Sequence, residues 1–526
     1  MLHGLLKLPQ VRGGVHPPGH KDRSAALHIL TPELPERLYL PLRQHAGADA
    51  IPVVKVGDHV LKGQMIAVAP SEISAPVHAS SSGRVIAIED IVAPHPSGLP
   101  STAIVIETDG EDRWIDTGVT GDPYQEEPLV LANRVADAGI VGMGGAIFPA
   151  AVKLKQGTKH EIKTVLVNGS ECEPFLTCDD RLMREKAEEI VEGARLIRHI
   201  LRAYRAVIAI EDNKPEAIAA MRAAAEPYGM VEVEVVPCMY PMGSAKQLIQ
   251  EVTGREVPAG ARSTSVGVLV HNVGTVYAIY QALTFGRPLI SRIVTVAGGA
   301  VTRPRNIDAL VGTPVQHLID ACGGLTEDPA KLVLGGPMMG VPLPTLQVPT
   351  IKGATGVLAL AKHEVPRSEE SPCIRCASCV EACPMGLLPL EMAARSRVDD
   401  FDGADSAGLK DCILCGSCAY VCPSHIPLVQ YFQYAKGEQD TKRAAAKKME
   451  YTVKLSVAKQ ERIEAEKAAK AAEKAAKKAS RKRPVKKPAT EAAAPANDSV
   501  AETSTTGQLV SEQISENVPQ KEEESA

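Results

Sequence analysis

Eight of the twelve cysteines in this 526-residue chain fall between positions 373 and 422. They form two runs, Cys373-Ile-Arg-Cys376-Ala-Ser-Cys379-Val-Glu-Ala-Cys383-Pro384 and Cys412-Ile-Leu-Cys415-Gly-Ser-Cys418-Ala-Tyr-Val-Cys422-Pro423. Both read C-x2-C-x2-C-x3-C-P. Three thiolates two residues apart wrap a tight loop round one cuboidal iron–sulfur cluster, and the fourth, before the proline, points away to a second cluster. The spacing therefore predicts two [4Fe-4S] clusters with crossed ligands. One would use Cys373, Cys376, Cys379 and Cys422, the other Cys412, Cys415, Cys418 and Cys383. Two zinc sites are the alternative, although zinc more often takes separated C-x2-C pairs. The small residues Ala377, Ser378, Gly416 and Ser417 leave backbone amides free to bond sulfur. Cys172, Cys178, Cys238 and Cys322 lack such spacing and read as small buried hydrophobes, with Cys172 set apart because it falls inside a candidate site.

A chain of this length has room for three or four domains. Its formal charge of -5 gives no reason to expect nucleic-acid binding. The opening residues lack the charged start, apolar centre and cleavage site of a secretory signal. The most apolar segment, residues 266–282, is interrupted by His271, Asn272 and Gly274, so no membrane span is expected. Clustered cysteines without a secretory signal point to a cytosolic protein, or one on the cytosolic face of a membrane.

Residues 1–122 read as β structure, short Val/Ile segments separated by turns such as Val56-Gly57-Asp58 and Ser82-Gly83-Arg84. The pattern resembles a lipoyl-like barrel-sandwich. Its hairpin, Pro70-Ser-Glu-Ile73, has no lysine, so a structural module is expected rather than a carrier. In residues 123–290 strands at 164–168 and 206–210 alternate with helices at 181–202 and 215–225. That alternation predicts an open α/β sheet with ligands at the strand C-termini. Residues 291–345 resemble the β-grasp module called SLBB, with a helix near 315–322. Residues 346–440 carry the cluster motifs. The tail, 441–526, is Ala/Lys/Glu-rich and expected to be helical to about 480; its last 40 or so residues read as disordered. Arg481-Lys-Arg483 and Lys486-Lys487 belong either to a solvated spacer or to a patch for anionic lipid.

Three segments of the α/β region carry polar groups suited to a nucleotide. Gly142-Met-Gly144-Gly145-Ala-Ile-Phe148-Pro149 is a glycine-rich loop followed by Lys153. Glycines admit a phosphate to the backbone and a lysine adds charge; a plain tight turn would read the same way. Asn168-Gly-Ser-Glu171-Cys172-Glu173-Pro174 ends one apolar strand, and Val270-His-Asn272-Val-Gly274-Thr275 ends another. Either could equally be a solvated turn.

These three segments occur in the same order in the NADH- and FMN-binding subunit of respiratory complex I. The whole layout, including Gly13-Gly-Val-His-Pro-Pro18, more closely resembles the C subunit of Rnf-type (Rsx) ion-translocating electron transport complexes, over about residues 5–435. The resemblance implies that Gly142, Gly144, Gly145 and Lys153 contact FMN phosphate or NADH. It further implies that Asn168 and Glu171 bond the flavin, that Glu173 faces the nicotinamide, and that Asn272 holds the FMN phosphate end. The chain departs from the complex I pattern at Met143, Ser170 and Cys172, where that family has Arg, Asp and Gly. Tyr240-Pro-Met-Gly243-Ser-Ala-Lys246 stands where complex I has Gly-Glu-Glu. The function implied is that of a peripheral electron-transfer subunit on the cytoplasmic side of a bacterial inner membrane. It would carry two [4Fe-4S] clusters, FMN and NAD(H), with further subunits of the complex and ferredoxin as partners. Two other readings stand beside it: a soluble flavin/iron–sulfur oxidoreductase, and a cluster-bearing electron wire without catalysis.

Overall fold

The computed structural model describes residues 11–480 apart from 96–97, 119–120 and 366–368. The opening residues, the basic patches at 481–487 and the end expected to be disordered lie outside the described residues. The chain divides into two units, 1–444 and 445–526.

Among the described residues, the first unit contains four sheets. Arg37–Pro41, Pro100–Thr108, Gly83–Val92 and His59–Val60 form one antiparallel sheet, and Ile51–Pro52, Met65–Val68 and Val77–His78 a second. Alternation along Arg37–Pro41 turns Leu38 and Leu40 inward, where they meet Ile66, Val77, Val85, Ile104 and Ile106. The hairpin at 70–73 is tied down rather than presented. The Ala48 N–H donates to the Ile73 carbonyl (3.0 Å) and the Ser74 hydroxyl to the Ala48 carbonyl (2.8 Å).

The parallel sheet runs Val231–Val236, Arg205–Glu211, Thr164–Gly169, Val268–Asn272. The interiors of its two central strands, 165–167 and 206–210, are apolar and buried, as burial on both faces requires. The helix expected over 181–202 is two helices, Cys178–Glu185 and Ala187–Leu201, parted at Lys186 by a non-helical backbone (φ -133°, ψ 37°). Gly193 lets Ala187–Leu201 press on Val273–Phe285, because a Cβ there would lie 2.4 Å from the Val276 carbonyl oxygen.

The β-grasp sheet is ordered Arg305–Leu310, Ser291–Ala297, Gly356–Leu360, Lys331–Leu334, Val341–Pro342, with the helix Val315–Ala321 supplying Val315, Leu318 and Ile319 to its core. Its central strand, Gly356–Leu360, falls beyond the limit of 345 read from sequence and inside the 346–440 segment assigned to the clusters. All five residues of that strand are buried, and it pairs in parallel with Ser291–Ala297. The sheet therefore ends at 360.

The cluster segment packs Met392, Phe401, Leu409, Leu428, Phe432 and Ala435 into a small core. The last three lie in the first turns of the helix Leu428–Ser480. In the second unit this helix continues from 445 to 480, its described side chains exposed. No helix among the described residues is long and apolar enough to cross a membrane.

Filling the close contact at Gly193 tests the helix packing of the α/β layer. Gly193→Val is expected to cost roughly 1–3 kcal/mol through overpacking, seen as a lower denaturant midpoint. An unchanged midpoint would contradict the close approach.

Candidate cofactor sites

Both cysteine runs fold into the same turn. Arg375 and Ala377 take left-handed backbone angles (φ 55° and 64°), matched by Leu414 and Gly416 (φ 56° and 82°). These residues bend the chain so that three cysteines face one point, and each turn ends in a short helix, Ser378–Glu381 or Ser417–Tyr420. Cys373, Cys376, Cys379 and Cys422 line one cavity, walled by Leu390, Ala393 and Ile426. Cys383, Cys412, Cys415 and Cys418 line another, walled by Leu387, Met392 and Phe432. Each cavity thus gathers three thiols of one run and the last of the other.

The donor set fits a thiophilic metal centre. Four thiolates in one apolar cavity repel one another unless a positive centre lies between them, and thiolate ligands select zinc, copper(I) or iron–sulfur clusters. Donors already reach the sulfurs: the Arg375 N–H points to Cys373 Sγ, the Leu387 N–H to Cys383 Sγ and the Ser378 hydroxyl to Cys376 Sγ, each at 3.4 Å. The cavities differ in depth. Cys415 and Cys418 are buried, whereas Cys373 and Cys376 are exposed.

In the α/β domain the glycine loop is closed by the Gly142 N–H donating to the Phe148 carbonyl (2.8 Å) and anchored by the Met143 N–H on the Thr275 hydroxyl (2.9 Å). Gly144, Gly145 and Ala146 are exposed. A Cβ on Gly144 would lie 3.3 Å from Asn272 Cβ, so the loop abuts the start of Val273–Phe285. Lys153 follows in Ala150–Gly157. It is largely buried with no anionic partner among the described residues, and burial lowers its pKa. Beside it His271 is pushed down to about 3, first by burial and then by the Lys153 charge. A buried cation beside a neutral imidazole and an open glycine loop suits an anionic group such as a phosphate.

The four polar residues assigned to flavin and nicotinamide already have protein partners. Asn168 donates to the Gly243 carbonyl (2.8 Å) and accepts from the Ser170 N–H (3.1 Å). The Glu171 carboxylate accepts the Asp179 and Asp180 N–H groups (2.7 and 3.1 Å), capping Cys178–Glu185. Asn272 accepts from the Gly274 N–H (2.9 Å) and donates to Asp179 (2.6 Å). Glu173 accepts the Met338 and Met339 N–H groups (3.1 and 3.0 Å) from the β-grasp loop at 335–340. Gly336 is required there, since its Cβ would come within 2.2 Å of that carboxylate. The structure brings Gly144 to Asn272 and Asn168 to Gly243, and it turns Glu173 toward the β-grasp loop.

Lys21 and Asp179, which neighbour these residues, stand outside the motifs read from sequence. Lys21 donates to the carbonyls of Glu171, Glu173 and Leu176 (2.9, 2.8 and 2.5 Å), bracing the turn from about 150 residues away. Asp179 is buried beside Glu171, and both burial and that charge raise its pKa. The Tyr240 hydroxyl donates to the Cys415 carbonyl (2.6 Å). A cavity of about 620 Å³ between helix Val273–Phe285, the β-grasp sheet and Trp114 includes Met143 but neither Gly144 nor Asn272.

Over 429 residues the chain is 51% identical to the C subunit of the ion-translocating oxidoreductase complex of Rhodobacter capsulatus, covering 81% of this chain and 83% of that protein. The chain belongs to this C-subunit family. A second member, from Serratia proteamaculans, is 44% identical over 464 residues, covering 87% of this chain and 66% of its own. Four family descriptions match in order: the RnfC barrel sandwich hybrid domain at 9–111, the Nuo51 FMN-binding domain at 135–281, the SLBB domain at 293–342 and the 4Fe-4S dicluster domain at 372–426. Among solved structures, the NAD+-reducing [NiFe]-hydrogenase in its H2-reduced state is similar at 16% identity and a TM-score of 0.44, over 60% of this chain and 61% of that one.

Glu173 gives this site a pH signature. Burial raises its pKa from 4.5 to about 7, outweighing the two amides and Lys21, which lower it. Because the folded value lies above the unfolded one, its contribution to stability is fully present below pH 4.5 and is lost as pH rises through about 7. Glu173→Gln is expected to remove that loss, so the wild type should lose stability relative to the variant across this window. A stability difference that stays flat with pH would contradict the burial of this carboxyl.

Proposed function

We propose that this chain is the peripheral electron-transfer subunit of a membrane complex that links electron transfer between NADH and ferredoxin to ion translocation. The observation that carries this reading is the pair of four-thiol cavities with crossed membership, joined in one chain to an FMN-type α/β domain. In the proposed assignment Cys373, Cys376, Cys379 and Cys422 hold one [4Fe-4S] cluster and Cys412, Cys415, Cys418 and Cys383 the other. Gly142, Gly144, Gly145 and Lys153 would receive the FMN phosphate or NADH, with Asn168, Glu171, Glu173 and Asn272 lining the flavin and nicotinamide.

When bound, the flavin would exchange an electron pair with a nicotinamide, and the clusters would carry electrons singly. The protein's own part is placement. Left-handed turns at 375–377 and 414–416 aim the thiols. Leu387, Met392 and Phe432 shield the buried cavity from water, while the exposed cavity leaves Cys373 and Cys376 open toward an electron partner. Lys153, with no anionic partner among the described residues, would offer its ammonium to a phosphate. We place the protein on the cytoplasmic side of a bacterial inner membrane, held by other subunits of the complex. Ferredoxin is the proposed soluble partner, and anionic lipid a contact for the basic tail.

One observation favours a second reading. The carboxyl and amide groups of Asn168, Glu171, Glu173 and Asn272 are all engaged within the protein, as expected of a cluster-bearing wire whose nucleotide site has lapsed. Anaerobic purification with iron, sulfide and flavin quantitation separates the two. The first reading predicts two four-iron clusters with tightly held FMN. It also predicts that Lys153→Met weakens FMN binding roughly ten- to a hundredfold, the worth of a hydrogen bond to a charged group, without loss of iron. Iron without flavin would favour the wire, and zinc in place of iron would overturn both.

A further inference from the structure

The Gly13–Pro18 segment is absent from both cofactor sites, yet its glycines make some of the tightest contacts beside the buried cavity. Gly13 and Gly14 take φ of +67° and +85°. A Cβ on Gly13 would lie 2.6 Å from the Cys383 carbonyl oxygen. One on Gly14 would lie 2.8 Å from Met239 Sδ and 2.9 Å from the Tyr240 carbonyl oxygen. No other residue type fits either place without moving a backbone.

The close approach lets this segment bond in two directions. The Gly14 N–H donates to the Ala382 carbonyl (3.0 Å), next to Cys383. Val15 and Tyr240 exchange a pair of backbone hydrogen bonds (2.8 and 2.9 Å). Tyr240 is 2% exposed, and its hydroxyl crosses to the Cys415 carbonyl (2.6 Å). Gln247 adds a longer bond to the Pro384 carbonyl (3.3 Å). Val15, Tyr240, Ala382 and Cys415 share one apolar cluster, against which Cys172 of the 168–174 turn and Met338 of the β-grasp loop also pack. The Gly14, Gln247 and Tyr240 hydroxyl bonds reach the loops that carry Cys383 and Cys415, and both cysteines line the buried cavity.

We propose that Tyr240, clamped by Gly13–Val15, is the positioning residue for the buried four-thiol cavity, holding its two ligand loops against the 168–174 turn and so tuning the centre bound there. The inference rests on the reading of that cavity as a cluster site. Hydrogen bonding and burial around a cluster are the protein's levers on its potential. A loop freed from Tyr240 gains solvent and mobility, while Cys373, Cys376, Cys379 and Cys422 of the exposed cavity take no part in these contacts.

The test uses the full-length chain prepared anaerobically, with Tyr240→Phe and Gly13→Ala as separate variants. Tyr240→Phe keeps the ring and removes one hydroxyl bond, which is expected to raise the undocked population of the ligand loop about five-fold. The expected result is unchanged iron and flavin content and a shifted midpoint potential for one of the two clusters. Amide hydrogen exchange across 409–420 should quicken about five-fold. Gly13→Ala should produce the same one-cluster shift, with faster exchange at 380–386. Cluster potentials and exchange rates that stay at the parent values in Tyr240→Phe would overturn the inference while leaving the cluster reading intact, and so would equal shifts in both clusters. A parent protein without iron would overturn both together.

Discussion

The exchange of a fourth thiol between two cysteine runs is the constraint on which the cluster end of the molecule depends. Neither run can complete its own cavity: Cys383 faces the three thiols of the second run, and Cys422 those of the first. Folding one loop therefore requires the other, and the core of Met392, Phe401, Leu409 and Phe432 holds the two together. The arrangement also separates the cavities by environment, one with Cys415 and Cys418 buried and one with Cys373 and Cys376 exposed. Burial and solvent access are among the factors that set cluster potentials, so a near-duplicate motif yields two unlike sites.

Parts of the α/β domain and the β-grasp loop pack against the loops of the buried cavity. Residues that would contact a flavin also act as struts. Glu171 caps a helix, Asn272 ties Asp179, and Glu173 fastens the β-grasp loop whose Met338 packs beside Cys415. Farther away, Lys352 joins three modules. Its ammonium donates to the carbonyls of Pro76 in the barrel and Gly139 in the α/β domain (2.8 and 2.7 Å), and burial lowers its pKa to about 7. A lysine bonded to two carbonyls from different domains fixes their orientation at a cost in desolvation. In this architecture the 168–174 turn, the β-grasp loop and the cysteine loops are in contact, so a change in one reaches the others.

What the sequence revealed was local, and what it concealed was distant. Cysteine spacing encodes its own turn, so both four-thiol sets could be written from residues 373–384 and 412–423 alone. The apolar runs at 164–168 and 206–210 are buried on both faces and read directly as parallel strands. Gly356–Leu360 went unassigned because a five-residue apolar run has no period that separates a strand from a core helix segment. Its partner strand lies about 60 residues earlier. The helix break at Lys186 was likewise invisible, because the residues on both sides form helix well. Lys21, the Tyr240 bond to Cys415 and the strut role of Glu173 arise from contacts 150 to 175 residues apart, and that of Glu171 from one eight residues on, and spacing signals none of these contacts. Glycine was the exception. Gly13-Gly14 stood out as a motif although its purpose, close approach to Cys383 and Tyr240, needed the fold.

The crossing of the two runs is tested most directly by Cys383→Ser in the full-length chain, reduced anaerobically and followed by electron paramagnetic resonance. Cys383 belongs to the first run in sequence but lines the cavity of the second. The account predicts that the cluster held by Cys412, Cys415 and Cys418 changes its signal while the one held by Cys373, Cys376 and Cys379 keeps it. A change confined to the cluster of the first run would contradict the crossing, and with it the architecture described above.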